Sequence, residues 1–568
     1  MIFMSAQPDE YYFLWQLQLQ LFNFSRMGIR KENIHVLIGY ERKKGLALYF
    51  KDFIKTNNQA NFYCYSDERI SKLYLSSLRP HLIAKHFKAN NWLEKETIFY
   101  HDSDIIFNRL PNFGELLYGD VWYASDTRSY TGVEYIKTTA GENTFKEMCS
   151  LIGVDSTLIY SNDKHAGGAQ YILKNVSINF WEKLESDCEK IFIFLLYKRN
   201  SLGYCSPDEG IQIWCTDMWC LWWNALFFGK KVATHKELNF SWVYSPIKSQ
   251  DLNPILHYTG NSSGKNKRLF CKNHYSNCNP FNDDFRAIDK GTSSYKLVEE
   301  IISYQTNKLS ERADLLDTSF LIPLRVDSAE RLENIYIILR YIHLHFRTNI
   351  ILIEGGNIQK IDLSLLPECV RYIFIKDINV KFHRTKYINL LVKIANTPYI
   401  AIYDVDVIIP FVQIERAIEE IRKKTYQIVY PYGGNFISVD ILMKAMFSKL
   451  LNAELFESNL GKLNIGSTRS YGGCVFLNRE SYMLAGMENE NLKSWGPDDV
   501  ERWKRMMILG YKIKRINGNL YHLPHPRLIN SGYNDVNDRI ELVEEYLDVC
   551  SMTKKDLKEY ISTWSWTQ

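Results

Sequence analysis

The sequence has few of the features that mark a disulfide-rich, zinc-binding or membrane-spanning protein. Its eleven cysteines are an odd number and include no Cys-x-x-Cys pair, which argues against a disulfide framework or a zinc module and fits a reducing compartment. The most apolar stretches, residues 191–197 and 218–228, are too short to span a bilayer. The formal net charge of +4 over 568 residues gives no indication of a polyanionic partner such as nucleic acid.

The first ten residues contain neither a basic stretch nor a long apolar one. We therefore expect no signal peptide and a cytoplasmic location. Peripheral contact with the inner face of a membrane stays open as an alternative.

The bulk composition is that of a globular protein. Hydrophobic residues make up 46% of the chain and charged residues 24%, and the length predicts two large domains or several small ones. The aromatic content of 14% is high. Stacking on sugars or bases would use aromatic rings, but an aromatic core explains the number equally well.

An acid-x-acid pair at the end of an apolar strand occurs twice in the sequence. Asp102 and Asp104 follow the apolar residues 98–100, and Asp404 and Asp406 follow residues 400–403. Carboxylates beside buried apolar residues are costly unless they are paired, hydrogen-bonded or bound to a cation. Two of them at a strand end can hold a divalent metal ion, which in turn can bind a diphosphate. The doubling suggests two nucleotide-using sites.

Strand and helix patterns follow the same order in both halves of the sequence. The first half begins with a strand at residues 1–5, a helix at about 10–27 and a strand at 34–38. The second half has a strand at 320–324, a helix capped by Asp327 or Ser328, and a strand at 349–353 that a Gly-Gly pair ends. Alternating strands and helices predict an α/β fold with a mostly parallel sheet in each half, flanked by helices.

A polar, turn-rich stretch at residues 282–294 and a helical segment at about 295–308 separate the two halves. We place the boundary near residue 312. This gives an N-terminal domain of residues 1–311, which includes the linker at about 282–311, and a C-terminal domain of residues 312–568 with a helical tail.

Three further features recur after the acidic pairs. Each half has a Gly-Gly pair before an apolar strand, at residues 167–168 and 472–473, and then an acidic turn, at residues 206–210 and 496–499. Histidines follow, with His257 in the first half and His522 and His525 in the second. Four matches in one order predict two diverged copies of one fold.

On these motifs, residues 320–530 resemble the inverting GT-A glycosyltransferases, in particular the galactosyltransferase-like branch of the family 2 type. The resemblance is carried by residues 322–327, 404–406, 472–473 and 495–501. It implies a Rossmann-like GT-A domain that uses a nucleotide sugar, most simply a UDP-sugar, with Mn²⁺ or Mg²⁺. Pro497 and Asp498 stand where relatives often have Gly and Glu, which leaves the acceptor geometry open.

The physical chemistry of sugar transfer agrees with this resemblance. A metal ion held by Asp406 would neutralise the charge that grows on the diphosphate leaving group. A later histidine can complete the metal site, since Mn²⁺ accepts imidazole; we favour His525 slightly over His522. Inversion needs a base for the acceptor hydroxyl, and the resemblance assigns that role to Asp499. It assigns acceptor contacts to Asp498 and Trp495, and the uridine end of the donor to Arg325 and Asp327 with help from Arg384 and Asp377. Further substrate contacts are assigned to Asp404, Gly472 and Gly473.

The first half has a weaker resemblance. Residues 101–107 are similar to the acidic motif of the plant hydroxyproline- and serine-directed glycosyltransferases, which are also GT-A-like, over about residues 1–280. The resemblance implies a metal site at Asp102, Asp104 and His257. It also implies donor-sugar contacts at Gly167, Gly168 and Gln170, an acidic residue near the acceptor at Asp217, and a phosphate contact at Lys272. A plainer interpretation makes Asp217 a buried acid on a helix face rich in tryptophan.

Together these features lead us to expect a bifunctional, metal-dependent glycosyltransferase (a hexosyltransferase, EC 2.4) with one metal ion in each active domain. The acceptor would be a glycan or a lipid-linked glycan in polysaccharide or glycoconjugate synthesis, with no nucleic acid involved. Three alternatives remain. Only the C-terminal domain could be catalytic, the chain could be a sugar nucleotidyltransferase, or it could bind carbohydrate without catalysis.

Overall fold

The computed structural model describes residues 1–201, 210–260, 266–281, 283–533 and 535–567. The chain forms two compact units, Met1–Thr306 and Asn307–Gln568. The predicted class, an α/β fold with a mostly parallel central sheet in each half, is confirmed. Of the acidic turn predicted at residues 206–210, residues 206–209 lie outside the described part of the chain.

Unit 1 alternates strands and helices from its first residues. Its strands are β1 Ile2–Pro8, β2 Ile34–Tyr40, β3 Asn61–Ser66, β4 Thr97–Tyr100, β5 Ile105–Phe107, β6 Trp122–Asp126, β7 Gly167–Lys174, β8 Val232–Thr234, β9 Phe240–Trp242 and β10 Ile255–His257. Its helices are α1 Tyr11–Arg26, α2 Leu48–Thr56, α3 Leu78–Ala89, α4 Arg128–Thr131, α5 Val133–Ala140, α6 Glu142–Ile152, α7 Ser156–Ser161, α8 Ile178–Ser201, α9 Thr216–Phe227, α10 Ser249–Leu252 and α11 Ser293–Ser310.

The large sheet of unit 1 has seven strands in the order β3-β2-β1-β4-β7-β6-β8. Every neighbouring pair is parallel except the two that involve β7. Strands β1 and β2 are buried along almost their whole length, as expected for parallel strands covered on both faces. The carboxyl ends of β1, β2, β3 and β4 therefore meet at one edge of the sheet.

Unit 2 has the same kind of alternation. Its strands are β11 Ala313–Leu324, β12 Phe346–Gly356, β13 Val370–Lys376, β14 Tyr399–Tyr403, β15 Val407–Ile408, β16 Ile428–Tyr430, β17 Asn435–Ser438, β18 Asn464–Ser467, β19 Cys474–Asn478, β20 Ile513–Arg515 and β21 Asn519–His522. Its helices are α12 Ala329–His345, α13 Arg384–Ile394, α14 Phe411–Arg422, α15 Ile441–Leu450, α16 Glu454–Glu457, α17 Arg479–Leu484, α18 Asp498–Leu509, α19 Val536–Ser551 and α20 Lys554–Ser562.

The large sheet of unit 2 repeats the topology of unit 1. Its order is β13-β12-β11-β14-β19-β16-β20, and β19 is the strand that runs antiparallel to its neighbours. If the strands of each large sheet are numbered along the chain, both sheets read 3-2-1-4-6-5-7. The same topology therefore occurs twice in the chain.

A second, smaller sheet in each unit carries the first of the histidines predicted to bind metal, His257 in unit 1 and His522 in unit 2. In unit 1 it has the order β5-β10-β9, and in unit 2 the order β15-β21-β17-β18. In both, the short strand that follows the acid-x-acid pair lies antiparallel to the strand that ends with the first histidine. This pairing joins two motifs that are more than a hundred residues apart in sequence.

Two local features explain how the sequence forms these elements. Helix α12 begins after Ser328, whose side chain accepts a hydrogen bond from the Arg331 amide, so Ser328 is the cap and Asp327 is left for other contacts. The apolar stretches at 191–197 and 218–228 lie in α8 and α9. Among the described residues, no helix is both long and apolar enough to cross a membrane.

Candidate metal and substrate sites

In unit 1 the turn between β4 and β5 carries Asp102 and Asp104, and the register of β5 with β10 sets His257 opposite Ile105. The Nε2 atom of His257 lies 3.2 Å from Asp104 Oδ1 and 3.8 Å from Asp102 Oδ2. One ligand atom from each of the three residues lies within 4.8 Å of the others. The predicted trio of Asp102, Asp104 and His257 therefore meets at one point, which we call the unit 1 triad.

Two carboxylates and an imidazole form a donor set that Mn²⁺ accepts, whereas Mg²⁺ prefers oxygen ligands alone. His257 and Asp104 are nearly fully buried, so the carboxylate charge there needs a cation or hydrogen bonds. The residues of the unit 1 triad thus fit a divalent metal ion.

Two basic side chains lie beside the unit 1 triad. Lys272 is buried and forms an ion pair with Asp104. Burial alone would raise the pKa of Asp104, but Lys272 and His257 outweigh it and hold that pKa well below its usual range. Arg79, from α3, pairs with both Asp102 and Asp217. Arg79 thereby connects the predicted metal-binding pair to the acid predicted near the acceptor.

Asp217 lies at the start of α9, next to the unit 1 triad rather than apart from it. Besides Arg79 it accepts a hydrogen bond of 2.7 Å from the Tyr74 hydroxyl. Burial is the main cause of the raised pKa of its carboxyl group. Trp219, Trp222 and Trp223 of the same helix are fully buried, so the tryptophan-rich face is core, while Asp217 faces the site.

The three residues predicted to face the donor sugar are all buried in unit 1. A Cβ on Gly167 would lie 2.5 Å from the Ala124 Cβ, and one on Gly168 would lie 2.1 Å from the Met218 Cε. Close packing therefore requires glycine at residue 167, whereas a side chain at residue 168 would have to displace the flexible end of Met218. Gln170 is fully buried; it accepts a 2.7 Å hydrogen bond from Ser125, and its Nε2 lies 3.5 Å from His257 Nδ1. Gln170 thus orients the triad histidine.

A cavity of about 1030 Å³ opens at the carboxyl ends of β1, β2 and β3 in unit 1. Its lining includes Asp102, Asp104 and Lys272 from the triad region. Tyr12 and Arg69 also line it. We call this space the strand-end cavity. It is large enough for a nucleoside diphosphate and has the basic side chains that phosphate needs.

In unit 2 the corresponding turn carries Asp404 and Asp406. His525 Nε2 lies 3.1 Å from Asp406 Oδ2, and His522 Nε2 lies 3.8 Å from Asp406 Oδ1. One ligand atom of each of Asp406, His522 and His525 lies within 4.8 Å of the others. These residues form the unit 2 triad, and its donor set fits the same kind of metal ion. Both histidines are within reach, rather than His525 alone.

Arg331 of α12 lies beside the unit 2 triad, 3.6 Å from Asp406 and 2.9 Å from Asp327. Burial would raise the pKa of Asp406, but the two histidines and Arg331 lower it well below its usual range. Asp327, predicted to bind the uridine end, also accepts a 3.2 Å hydrogen bond from Asn530. It therefore lies against the triad rather than in open solvent.

Asp404 points away from the unit 2 triad toward the acidic turn. Arg384 donates to Asp404 at 2.6 Å and to Asp498 at 2.5 Å, and it lies 3.7 Å from Asp499. Asp499 also pairs with the fully buried Arg502. One arginine thus connects the acid-x-acid turn to the predicted base and its neighbour.

The two acids of this turn differ in protonation. Burial, reinforced by the charge of Asp499, raises the pKa of Asp498 to about 7. Burial also acts on Asp499, but Arg384 and Arg502 outweigh it and lower the pKa of that carboxyl group. Asp499 is therefore ionised near neutral pH, whereas Asp498 is partly protonated at that pH.

Gly472 and Gly473 come directly before β19. A Cβ on Gly472 would lie 2.6 Å from the Asp499 Oδ2 atom, and Gly473 has a φ of +86°. The first glycine therefore lets the acid approach the backbone, and the second has a conformation that favours glycine. The side chain of Trp495 is about half exposed and packs edge-on against Tyr533, so it belongs to the surface rather than the core.

Two of the residues predicted to hold the uridine end, Arg325 and Asp377, form one group at the ends of β11 and β13. Arg325 donates to Asp377 at 2.5 Å, and the Tyr387 hydroxyl donates to the same carboxylate at 2.9 Å. The Arg325 guanidinium lies 5.1 Å from the centre of the Phe382 ring. Burial would raise the pKa of Asp377, but the hydrogen bonds and Arg325 lower it, so this group is a fixed ion pair.

Sequence reasoning missed the arginines Arg79, Arg331 and Arg502. Arg79 and Arg331 contact acids that are far away along the chain, and the apolar patterns of their helices give no sign of these contacts. Arg331 had the clearest signal, because it follows Asp327 by one helical turn and such pairs interact. Arg502 and Asp499 are likewise three residues apart on α18.

Comparisons with known proteins find similar chains among solved structures. No family model matches the sequence, and no curated protein matches it. Among solved structures, the catalytic domain of Drosophila beta1,4-galactosyltransferase 7 in complex with xylobiose is 16% identical, with a TM-score of 0.27, and the match covers 42% of this chain and 82% of that one. Glucosyl-3-phosphoglycerate synthase from Mycobacterium tuberculosis, solved with Mn²⁺, UDP and phosphoglyceric acid, is 12% identical, with a TM-score of 0.28, and the match covers 44% of this chain and 83% of that one.

Proposed function

We propose that the chain is a metal-dependent glycosyltransferase with one active site in each unit. Each site would transfer a sugar from a nucleotide donor, most simply a UDP-sugar, to a glycan or lipid-linked glycan. A cytoplasmic location and a role in polysaccharide or glycoconjugate synthesis belong to the same proposal.

The observation that carries this proposal is the repeated triad. In both units an acid-x-acid turn follows the fourth strand of a sheet with the same order, and at least one histidine from a smaller sheet meets it. Ligands bind at the carboxyl ends of strands in open α/β sheets. A divalent ion bound there would neutralise the diphosphate leaving group.

In unit 2 the residues around the triad support an inverting transfer. The acceptor oxygen would form a bond to the anomeric carbon while the bond from that carbon to the diphosphate oxygen breaks, with its electron pair going to the diphosphate. Asp499, ionised by its two arginines, would take the acceptor proton. Asp498 would hold an acceptor hydroxyl, and Trp495 offers an exposed ring to the acceptor sugar.

In unit 1 the strand-end cavity supports donor binding. Lys272 and Arg79 lie where a diphosphate between the cavity and the triad would need positive charge. Arg79 pairs with both Asp217 and Asp102. Asp217 is also the acid that the family resemblance places near the acceptor. Its raised pKa suits proton uptake better than that of an exposed aspartate.

A donor screen tests the proposal directly. The full chain would be incubated with each of several nucleotide sugars and Mn²⁺, and released nucleotide would be measured with and without EDTA. We expect release from at least one UDP-sugar that EDTA abolishes. Pyrophosphate release from a nucleoside triphosphate and a sugar phosphate would favour a nucleotidyltransferase instead, and failure to bind UDP with Mn²⁺ would contradict both catalytic assignments.

A further inference from the structure

Unit 1 has a second cavity, which shares no lining residue with the strand-end cavity. Its volume is about 830 Å³, and it lies between the end of β6, helices α4 and α5, and strand β9. Tyr130, Phe240 and Trp242 contribute aromatic side chains to its wall. Asp126, Asn239 and Asn253 contribute carboxylate and amide groups. We call this space the aromatic cavity.

The aromatic cavity shares a wall with the unit 1 triad. The Trp242 ring stacks on the His257 ring at 5.6 Å and 20°, and the Phe240 ring meets the same imidazole edge-on at 5.3 Å. Burial is the main cause of the raised pKa of Tyr130, and the charge of Asp102 is a further cause. A molecule in the cavity would therefore lie next to the triad.

The polar groups of the cavity retain hydrogen-bonding capacity. Asp126 Oδ1 accepts from the Arg128 amide, Asn239 Oδ1 accepts from the Asp126 amide, and Asn253 Nδ2 donates to Phe240 O and Ser241 Oγ. Among the described residues, nothing contacts the second oxygen of Asp126, the amide nitrogen of Asn239 or the side-chain oxygen of Asn253 at hydrogen-bond distance. These three side chains thus offer two acceptors and one donor group, and the cavity wall also carries the charged side chains of Arg128, Glu134 and Asp163.

These features together match the chemistry of a sugar ring. A pyranose has apolar C–H faces that pack against aromatic rings, and hydroxyl groups that both donate and accept hydrogen bonds. A cavity with aromatic walls and a few fixed polar groups is the usual form of such a binding site. The register of β6 with β7 also pairs Asp126 with Gly167, so the cavity opens beside the position predicted for the donor sugar.

We propose that the aromatic cavity of unit 1 binds a pyranose unit of a neutral glycan acceptor, with Trp242 and Tyr130 as its aromatic walls and Asp126 as its principal hydroxyl partner. This assignment rests on the proposed function, since it names the acceptor class for the same site. It divides unit 1 into a nucleotide side and a glycan side, separated by the triad.

Saturation-transfer NMR tests this assignment on the full chain. The probes are both anomers of the methyl glycosides of glucose, galactose and N-acetylglucosamine, in EDTA and without nucleotide. We expect transfer to at least one probe, about five- to tenfold weaker binding in Trp242→Ala, as for loss of one aromatic contact, and weaker binding in Asp126→Asn. Trp92→Ala removes an exposed tryptophan outside the cavity and should leave binding unchanged.

The Asp126→Asn variant keeps the test decisive if Trp242→Ala disturbs folding, because Asp126 is exposed and does not touch His257. Absence of transfer to every probe, or transfer that neither cavity variant weakens, would overturn the assignment. Glycoside binding is read without metal or donor, so it tests the cavity separately from catalysis. Nucleotide release by a chain that binds no glycoside would support the function and refute this site.

Discussion

Charged partners and a close glycine both fix the position of the Asp499 side chain. Arg502 and Arg384 hold it ionised, and Gly472 lets one of its oxygens reach the backbone before β19. A carboxylate fixed in this way has a defined direction, which a base needs in order to meet the acceptor hydroxyl. Its low pKa makes it a weaker base than a free aspartate, so position rather than basicity would be its main contribution.

Substitution of this acid should stop transfer without unfolding the chain. In Asp499→Asn the amide cannot take up a proton, so we expect the nucleotide-release rate of unit 2 to fall by about 10²- to 10⁴-fold. The rate would be measured in an Asp104→Asn background, so that only unit 2 contributes. Asp548→Asn, on the exposed face of α19, is the matched control. Equal rates for the two variants would remove Asp499 from the mechanism.

Asp498 should make stability depend on pH. Its pKa of about 7 in the folded chain lies above the ordinary value of about 3.9, so the folded state binds this proton more tightly than the unfolded state does. The resulting stabilisation is complete below about pH 4 and is lost as the pH rises through 7. The variant Asp498→Asn has no carboxyl group at this position, so it does not show this loss of stability as the pH rises.

We therefore expect the melting temperature of Asp498→Asn, relative to the wild type, to be higher at pH 8 than at pH 5. Thermal unfolding followed by circular dichroism at both values measures the difference. A relative melting temperature that does not change with pH would mean that Asp498 titrates at its ordinary value in the folded chain.

At the scale of elements, most strands and helices could be predicted, but the residues at which some of them begin or end could not. Helix α1 and strand β2 lie close to where the sequence predicts them, because their apolar patterns are regular. Strand β11 begins at Ala313 rather than at 320, because exposed positions such as Asp314 interrupt its apolar run. Its pairing with β12 is irregular between Leu315 and Ser319, which a period-two pattern does not predict.

The site was predictable to a similar degree. The acid-x-acid pairs and the histidines stand out because polar residues interrupt apolar strands there, and the pairing of the small sheets brings them together. Arg384 was predicted, but Arg79 and Arg331 were not, since their contacts with Asp102 and Asp406 depend on how helices pack against the sheets. The contact of Gln170 with His257 was not predictable either, because it depends on the burial of Gln170 in the folded chain.

The turn before β19 should be sensitive to a single methyl group. In Gly472→Ala the new Cβ would meet the Asp499 carboxylate and displace it, and a shift of about 1 Å can cost about 10²-fold in rate. We expect kcat to fall while KM for the donor changes little. Gly461→Ala is the control, since nothing lies within 4 Å of a Cβ there. A KM effect alone would place Gly472 on the donor side.

At the scale of the whole molecule, the chain contains one topology twice. The large sheets share their strand order and the position of the antiparallel strand. The strands of the small sheets come from different places along the chain. Strand β9 comes after the last strand of its large sheet, whereas β17 comes before β19 of its large sheet. The two units therefore share the framework of the large sheet and differ in the connections that form the small one.

The repeated triad makes the number of active sites the central question. Because Asp104 and Asp406 lie in separate triads, each substitution to asparagine should weaken metal binding in its own unit only. The most direct measurement is therefore Mn²⁺-dependent nucleotide release by the wild type, Asp104→Asn, Asp406→Asn and the double variant. We predict that each single variant keeps part of the activity, with its own donor preference, and that the double variant has none. Complete loss in Asp406→Asn, together with full activity in Asp104→Asn, would contradict two active sites and leave unit 2 as the only catalyst.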